Sequence, residues 1–101
     1  MASRLQLHEE LCNLLGTRNV YFDPPASVKM QYRAIRYTRK QLDKLHANDS
    51  AYKTLTSYEL ILIDKDPDSG YVDKILQLPY CSYDRHYVVE NLHHDVFTLY
   101  Y

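Results

Sequence analysis

The chain has 101 residues, with 12 Lys and Arg against 13 Asp and Glu, and is read as one domain spanning 1–101. This near balance of charge argues against a dedicated nucleic-acid binder or a polybasic membrane module, and it lowers the electrostatic barrier to self-association. No apolar run approaches the roughly 20 residues of a membrane span, and the charges within residues 1–10 argue against a signal peptide there.

In chain order, Ser3-Arg4-Leu5-Gln6 fits a capping box, and Leu7, Leu11, Leu14 and Leu15 follow at helical spacing. Gly16 suits the left-handed position past the last turn, so residues 3–16 are read as an amphipathic helix. Val20-Tyr21-Phe22 is a short strand closed by Asp23-Pro24-Pro25. A second strand is expected over residues 29–38, with Met30, Tyr32 and Ala34 on one face and Ile35 and Tyr37 on the other. Residues 39–53 are polar, lack Gly and Pro, and read as a long loop of the kind that carries function.

A third strand is expected over residues 54–64. Its run Leu60-Ile61-Leu62-Ile63 implies a central strand covered on both sides. The Asp64–Gly70 turn then leads to a short helix over 69–78 that places Val72, Ile75 and Leu76 inward and stops at Pro79. Two more strands, over 81–89 and 94–101, finish the chain. The order α-β-β-β-α-β-β gives an α+β fold: a mostly antiparallel sheet with an N-terminal helix and a second short helix.

Chemistry-bearing patterns are few. Asp64-x-Asp66-x-Asp68 resembles the start of a calcium loop, but the sixth and twelfth positions, which require Gly and Glu, hold Ser69 and Ile75. The alternative is that the acids form a turn, with Asp68 or Ser69 capping the helix. A metal-dependent nuclease built on the same acids lacks a second carboxylate pair. His86, His93 and His94 lie near Asp84 and Asp95, yet adjacent His93 and His94 diverge along a strand, whereas zinc needs converging ligands. Cys81 and His86 are read as too poorly aligned for a thiol nucleophile. Cys12 and Cys81 lie far apart without a CxxC pair, which suits two reduced thiols and leaves one long-range disulfide open. With only two Gly there is no phosphate loop. No catalytic residue, metal site or cofactor site is assigned, and the chain is read as a non-enzyme.

The remaining signal is association. The chain has 11 Tyr, 2 Phe and no Trp. Tyr suits surfaces that are wet in one state and buried in another, although half-buried strands favour it equally. The basic stretch Arg33, Arg36, Arg39, Lys40 and Lys44 is diluted by Asp43 and Asp49, so it reads as a solvated or inter-subunit face. The candidate interface comprises Arg39, Lys40, Asp43, Lys44, His46, Asp49 and Tyr52.

Several strings resemble the small tail-completion proteins of long-tailed bacteriophages, the tail terminators and head-to-tail joining proteins. They are Val20-Tyr21-Phe22-Asp23-Pro24-Pro25, Val28-Lys29-Met30-Gln31-Tyr32, Ile63-Asp64-Lys65-Asp66-Pro67-Asp68-Ser69 and Cys81-Ser82-Tyr83-Asp84-Arg85-His86-Tyr87. The family's comparable segment tends to carry Pro where this chain has Arg33. The resemblance implies a virion structural protein. It would form a homo-oligomeric ring, usually hexameric, at the head-proximal end of the tail, between the tail tube protein and the head connector. DNA would pass through the ring without specific binding, and assembly would take place in the bacterial host cytoplasm. The alternative is a small intracellular adaptor that binds through a sheet edge or helix face.

Overall fold

The structure, a computed structural model, describes residues 4–101 apart from 26, 28 and 48–50; at residues 41–47 and 51–55 it describes the backbone alone. Helix α1 (Arg4–Leu15) is followed by β1 (Val20–Phe22), β2 (Ala34–Ala47), β3 (Ala51–Asp64), α2 (Tyr71–Leu76), β4 (Cys81–Val89) and β5 (Leu92–Tyr100). The strands form one sheet in the order β1-β2-β3-β5-β4. Only β1–β2 is parallel; the other pairs are antiparallel. The expected α+β fold and element order are therefore present.

Residues 58, 60 and 62 of β3 face one layer and residues 61 and 63 the other, because side chains alternate along a strand. On the first face Tyr58, Leu60 and Leu62 pack with Ile35, Tyr37, Phe97 and Leu99 beneath Leu7, Leu11, Cys12 and Leu15 of α1 and Ile75 of α2. On the second, Ile61 and Ile63 join Val96 under Met30, Tyr87 and Leu92. Leu60, Leu62, Val96 and Phe97 are fully buried. The expectation of a strand covered on both sides holds.

Tyr37 ties the layers together. It is 1% exposed. Its hydroxyl accepts a 3.2 Å hydrogen bond from Arg4 and lies 2.8 Å from His8 Nδ1. Its ring packs against Phe22 at 4.9 Å and edge-on to Tyr58 at 6.1 Å. At the end of α1, Gly16 takes φ +79° and its N–H bonds the Cys12 carbonyl at 2.9 Å. This is the left-handed helix stop that glycine tolerates.

Several expected boundaries move. β2 begins at Ala34, not at residue 29, because its ladder with β3 opens at the pair Ala34↔Ile63. Met30 instead lies outside any strand, against the second face. Residues 39–47 and 51–53 are not a loop: they belong to β2 and β3, which are 14 residues each and pair as far as Ala47↔Ala51. The last two strands join through Glu90-Asn91, with φ +52° and +64°, the doubly left-handed turn that matches hairpin twist. β5 therefore starts at Leu92 rather than at residue 94.

α2 is shorter than expected. Leu76 is 38% exposed while Ile75 is buried, and Tyr71, Val72 and Leu78 pack beside it. Its N-cap is Gly70, with no side-chain cap. Ser69 Oγ only accepts a long 3.4 Å bond from the Tyr71 N–H. Ser3 of the expected capping box lies outside the described residues.

Leu60→Ala removes a fully buried side chain from the centre of the sheet and should cost about 2–5 kcal/mol, read as a lower urea midpoint with an unchanged slope.

Candidate functional site

The β2–β3 hairpin is longer than the sheet that holds it. β1 pairs with β2 only at residues 35–37, and β5 pairs with β3 only over residues 57–64. One further bond, from the Tyr101 N–H to the Thr56 carbonyl at 3.1 Å, ends that contact. Residues 43–47 and 51–55 therefore pair only with each other among the described residues. They form a two-stranded arm roughly 16 Å long at about 3.3 Å per residue. A register shift between Arg39 and Gln41 marks its root, where a bulge bends and twists a strand.

The arm sets the molecular dimensions. The principal extents are 51 × 26 × 23 Å and the radius of gyration is 14.7 Å, against about 13 Å for a compact chain of this length. An isolated two-stranded hairpin is marginal in water, and among the described residues no further strand pairs with its outer edges, which are templates for strand addition. Chemically, the arm can add strands to a partner.

The candidate interface residues distribute along this element. Arg39 and Lys40 are exposed at the root. Asp43, Lys44, His46 and Tyr52 sit on the arm, in the pairs Asp43↔Leu55, Lys44↔Thr54 and His46↔Tyr52. Asp49 lies outside the described residues. The segment read from the sequence as a loop is here a pair of strands.

Beside the root, on the helix-covered face, lies an open apolar cleft of about 270 Å³ lined by Leu7, Glu10, Leu78, Pro79, Tyr80, Leu99, Tyr100 and Tyr101. Tyr80 is 82% exposed at φ +59°, and Leu5 next to the cleft is also exposed. Burial raises the Tyr101 pKa, as does its hydrogen bond to Glu10. Sequence reading did not find this cleft, because its walls come from the helix, the α2–β4 connection and the C-terminal strand.

The acidic turn folds on itself. Asp64 Oδ1 accepts the Asp66 N–H at 3.1 Å, and Asp66 Oδ1 accepts the Asp68 N–H at 2.9 Å. Asp64 is buried and paired with Arg33 Nε at 2.5 Å; that guanidinium also lies 4.6 Å from the Tyr71 ring centre. Among the described residues no three His, Cys, Asp or Glu side chains converge as metal ligands. Cys12 is buried, Cys81 is partly buried, and both are free; burial raises both thiol pKa values. No described helix is long and apolar enough to cross a membrane.

Burial pushes the Asp64 pKa up, but the Arg33 hydrogen bond, the Asp66 N–H and Ser69 outweigh it and leave it below the ordinary value. A carboxyl with a depressed folded pKa contributes stability above its unfolded pKa, about 4, and loses it as pH falls through the folded value. Asp64→Asn should therefore lower stability near neutrality and flatten its fall with acid below about pH 4, measured by urea unfolding across that range.

A scan against protein-family models found no match, and a search of curated proteins found none either.

Proposed function

We propose that the chain is a virion structural protein of a long-tailed phage. In this reading it forms a ring at the head-proximal end of the tail, ends tube growth and joins the tail to the head connector. It works without catalysis, resides in the tail neck and assembles in the host cytoplasm. The observation that carries the reading is the β2–β3 arm, which runs past its neighbouring strands and pairs with no other strand among the described residues.

A ring closes when one surface of each subunit meets a different surface of the next. The arm supplies the projecting half of such a contact. The cleft around Tyr80 and Tyr101, with exposed Leu5 and Tyr100, supplies a recipient half of the right character, since Tyr-rich apolar patches with polar rims suit interfaces. The adaptor reading rests on a different feature. β4 is an edge strand of 9 residues, mostly exposed, and such an edge can accept one added strand.

Light scattering over a concentration series, alone and with isolated tail tubes, separates the two. A hexamer-sized species, or one that grows with concentration or with tubes present, is expected. A strict monomer that ignores tail tubes and binds one soluble partner would replace the ring with the adaptor.

Two variants locate the contact. Replacing residues 43–55 by a two-residue turn, which keeps the Leu42↔Thr56 pair, should leave the circular dichroism of the sheet intact and abolish assembly. Asp43→Lys combined with Lys44→Glu should weaken assembly without altering the melting temperature. Unchanged assembly in both would remove the arm from the interface.

A further inference from the structure

The β4–β5 hairpin brings together two histidines that no part of the ring reading uses. Asp95 pairs with His86 across the ladder, and His93 pairs with Val88, so His86 and His93 sit diagonally on one face. His86 Nε2 lies 3.1 Å from His93 Nδ1. The ring planes are within 12° and the centroids are 5.2 Å apart. The two rings therefore meet edge to edge in nearly one plane, nitrogen facing nitrogen. In-plane lone pairs on both facing nitrogens would repel at this separation, so something electropositive must lie between them. Either one ring donates a hydrogen to the other, or a metal ion takes both lone pairs.

The spacing suits the second option. Zinc–imidazole bonds of about 2.0–2.1 Å at a tetrahedral angle hold two nitrogens about 3.3–3.4 Å apart, a few tenths of an ångström from the distance present. Imidazole also suits zinc and its late transition-metal neighbours better than it suits calcium or magnesium. The surroundings favour a cation. Asp68, Asp73 and Asp95 line the same open depression as His86, and the nearest cation on β4, Arg85, is paired with Asp84 at 2.8 Å. The Tyr83 hydroxyl donates to Asp95 Oδ1 at 2.8 Å. His94 is turned to the opposite face, where it stacks on Tyr87 at 4.7 Å.

We propose that His86 Nε2 and His93 Nδ1 form a two-histidine site for a divalent late transition metal, zinc being the representative, with water in the remaining positions. On binding, the hydrogen between the rings moves to its own ring's other nitrogen. One N–H bond breaks and another forms, and two metal–nitrogen bonds are made with no net loss of a proton. The site does not depend on the ring reading, because it lies on the β4–β5 hairpin and not on the arm.

Isothermal titration of the full chain with zinc chloride at neutral pH tests this. The expected result is one zinc per chain for the wild type and for His94→Ala, with binding lost in His86→Ala and in His93→Ala. Circular dichroism melts confirm that each variant is folded, and His86→Gln, which keeps a polar side chain of similar reach, serves if His86→Ala unfolds. No binding by the wild type, binding that persists in folded His86 and His93 variants, or equal loss in folded His94→Ala would each overturn the proposal.

Discussion

The central strand cannot face water on either side. Leu60, Ile61, Leu62 and Ile63 occur in succession, and alternation sends two of them to each face of β3. Each face must then be covered. The helices cover one, through Leu7, Leu11 and Ile75. The segment carrying Met30, together with Tyr87 and Leu92, covers the other. The chain order follows from the same need, since α1 must return over strands that are made after it, and Tyr37 is where that return is fastened.

The two covers differ in kind. The helical side is a broad apolar layer held by shape and area. The opposite side is a small cluster of Ile61, Ile63 and Val96; the Arg33–Asp64 pair, whose carboxylate is buried while its guanidinium remains part-exposed, closes the margin of the helical side beside Tyr71. A buried ion pair offsets its desolvation only when its remaining hydrogen-bonding capacity is met. Here the Asp66 backbone N–H and Ser69 add to Arg33 at the same carboxylate. The acidic turn that resembles a metal loop is thus committed to closing the margin of the helical face.

Neither neighbouring strand pairs with the far half of the β2–β3 hairpin among the described residues. Its neighbours β1 and β5 stop near the root, so the distal strands satisfy each other on one side and leave their outer edges open. A hairpin of that kind gains little stability from its own chain, which is the physical basis for assigning it to contacts with another. The β4 edge presents the opposite case. A register shift between Tyr83 and Arg85 and a succession of charged and imidazole side chains interrupt it, and such features discourage indiscriminate strand addition.

Local chemistry alone determined much of this. The Leu spacing of α1, the Gly16 stop, the two-sided burial of residues 60–63, the divergence of His93 from His94 and the α-β-β-β-α-β-β order all follow from period, capping and turn residues, which act over a few positions. The arm was not legible, because residues 39–53 are polar and show no apolar alternation, and they therefore looked like a loop. The tertiary structure decided the strand order, the cleft beside Tyr80, the Arg33–Asp64 closure and the meeting of His86 with His93. Each depends on register between segments distant in sequence, and register is fixed only when the buried faces of those segments are matched in space.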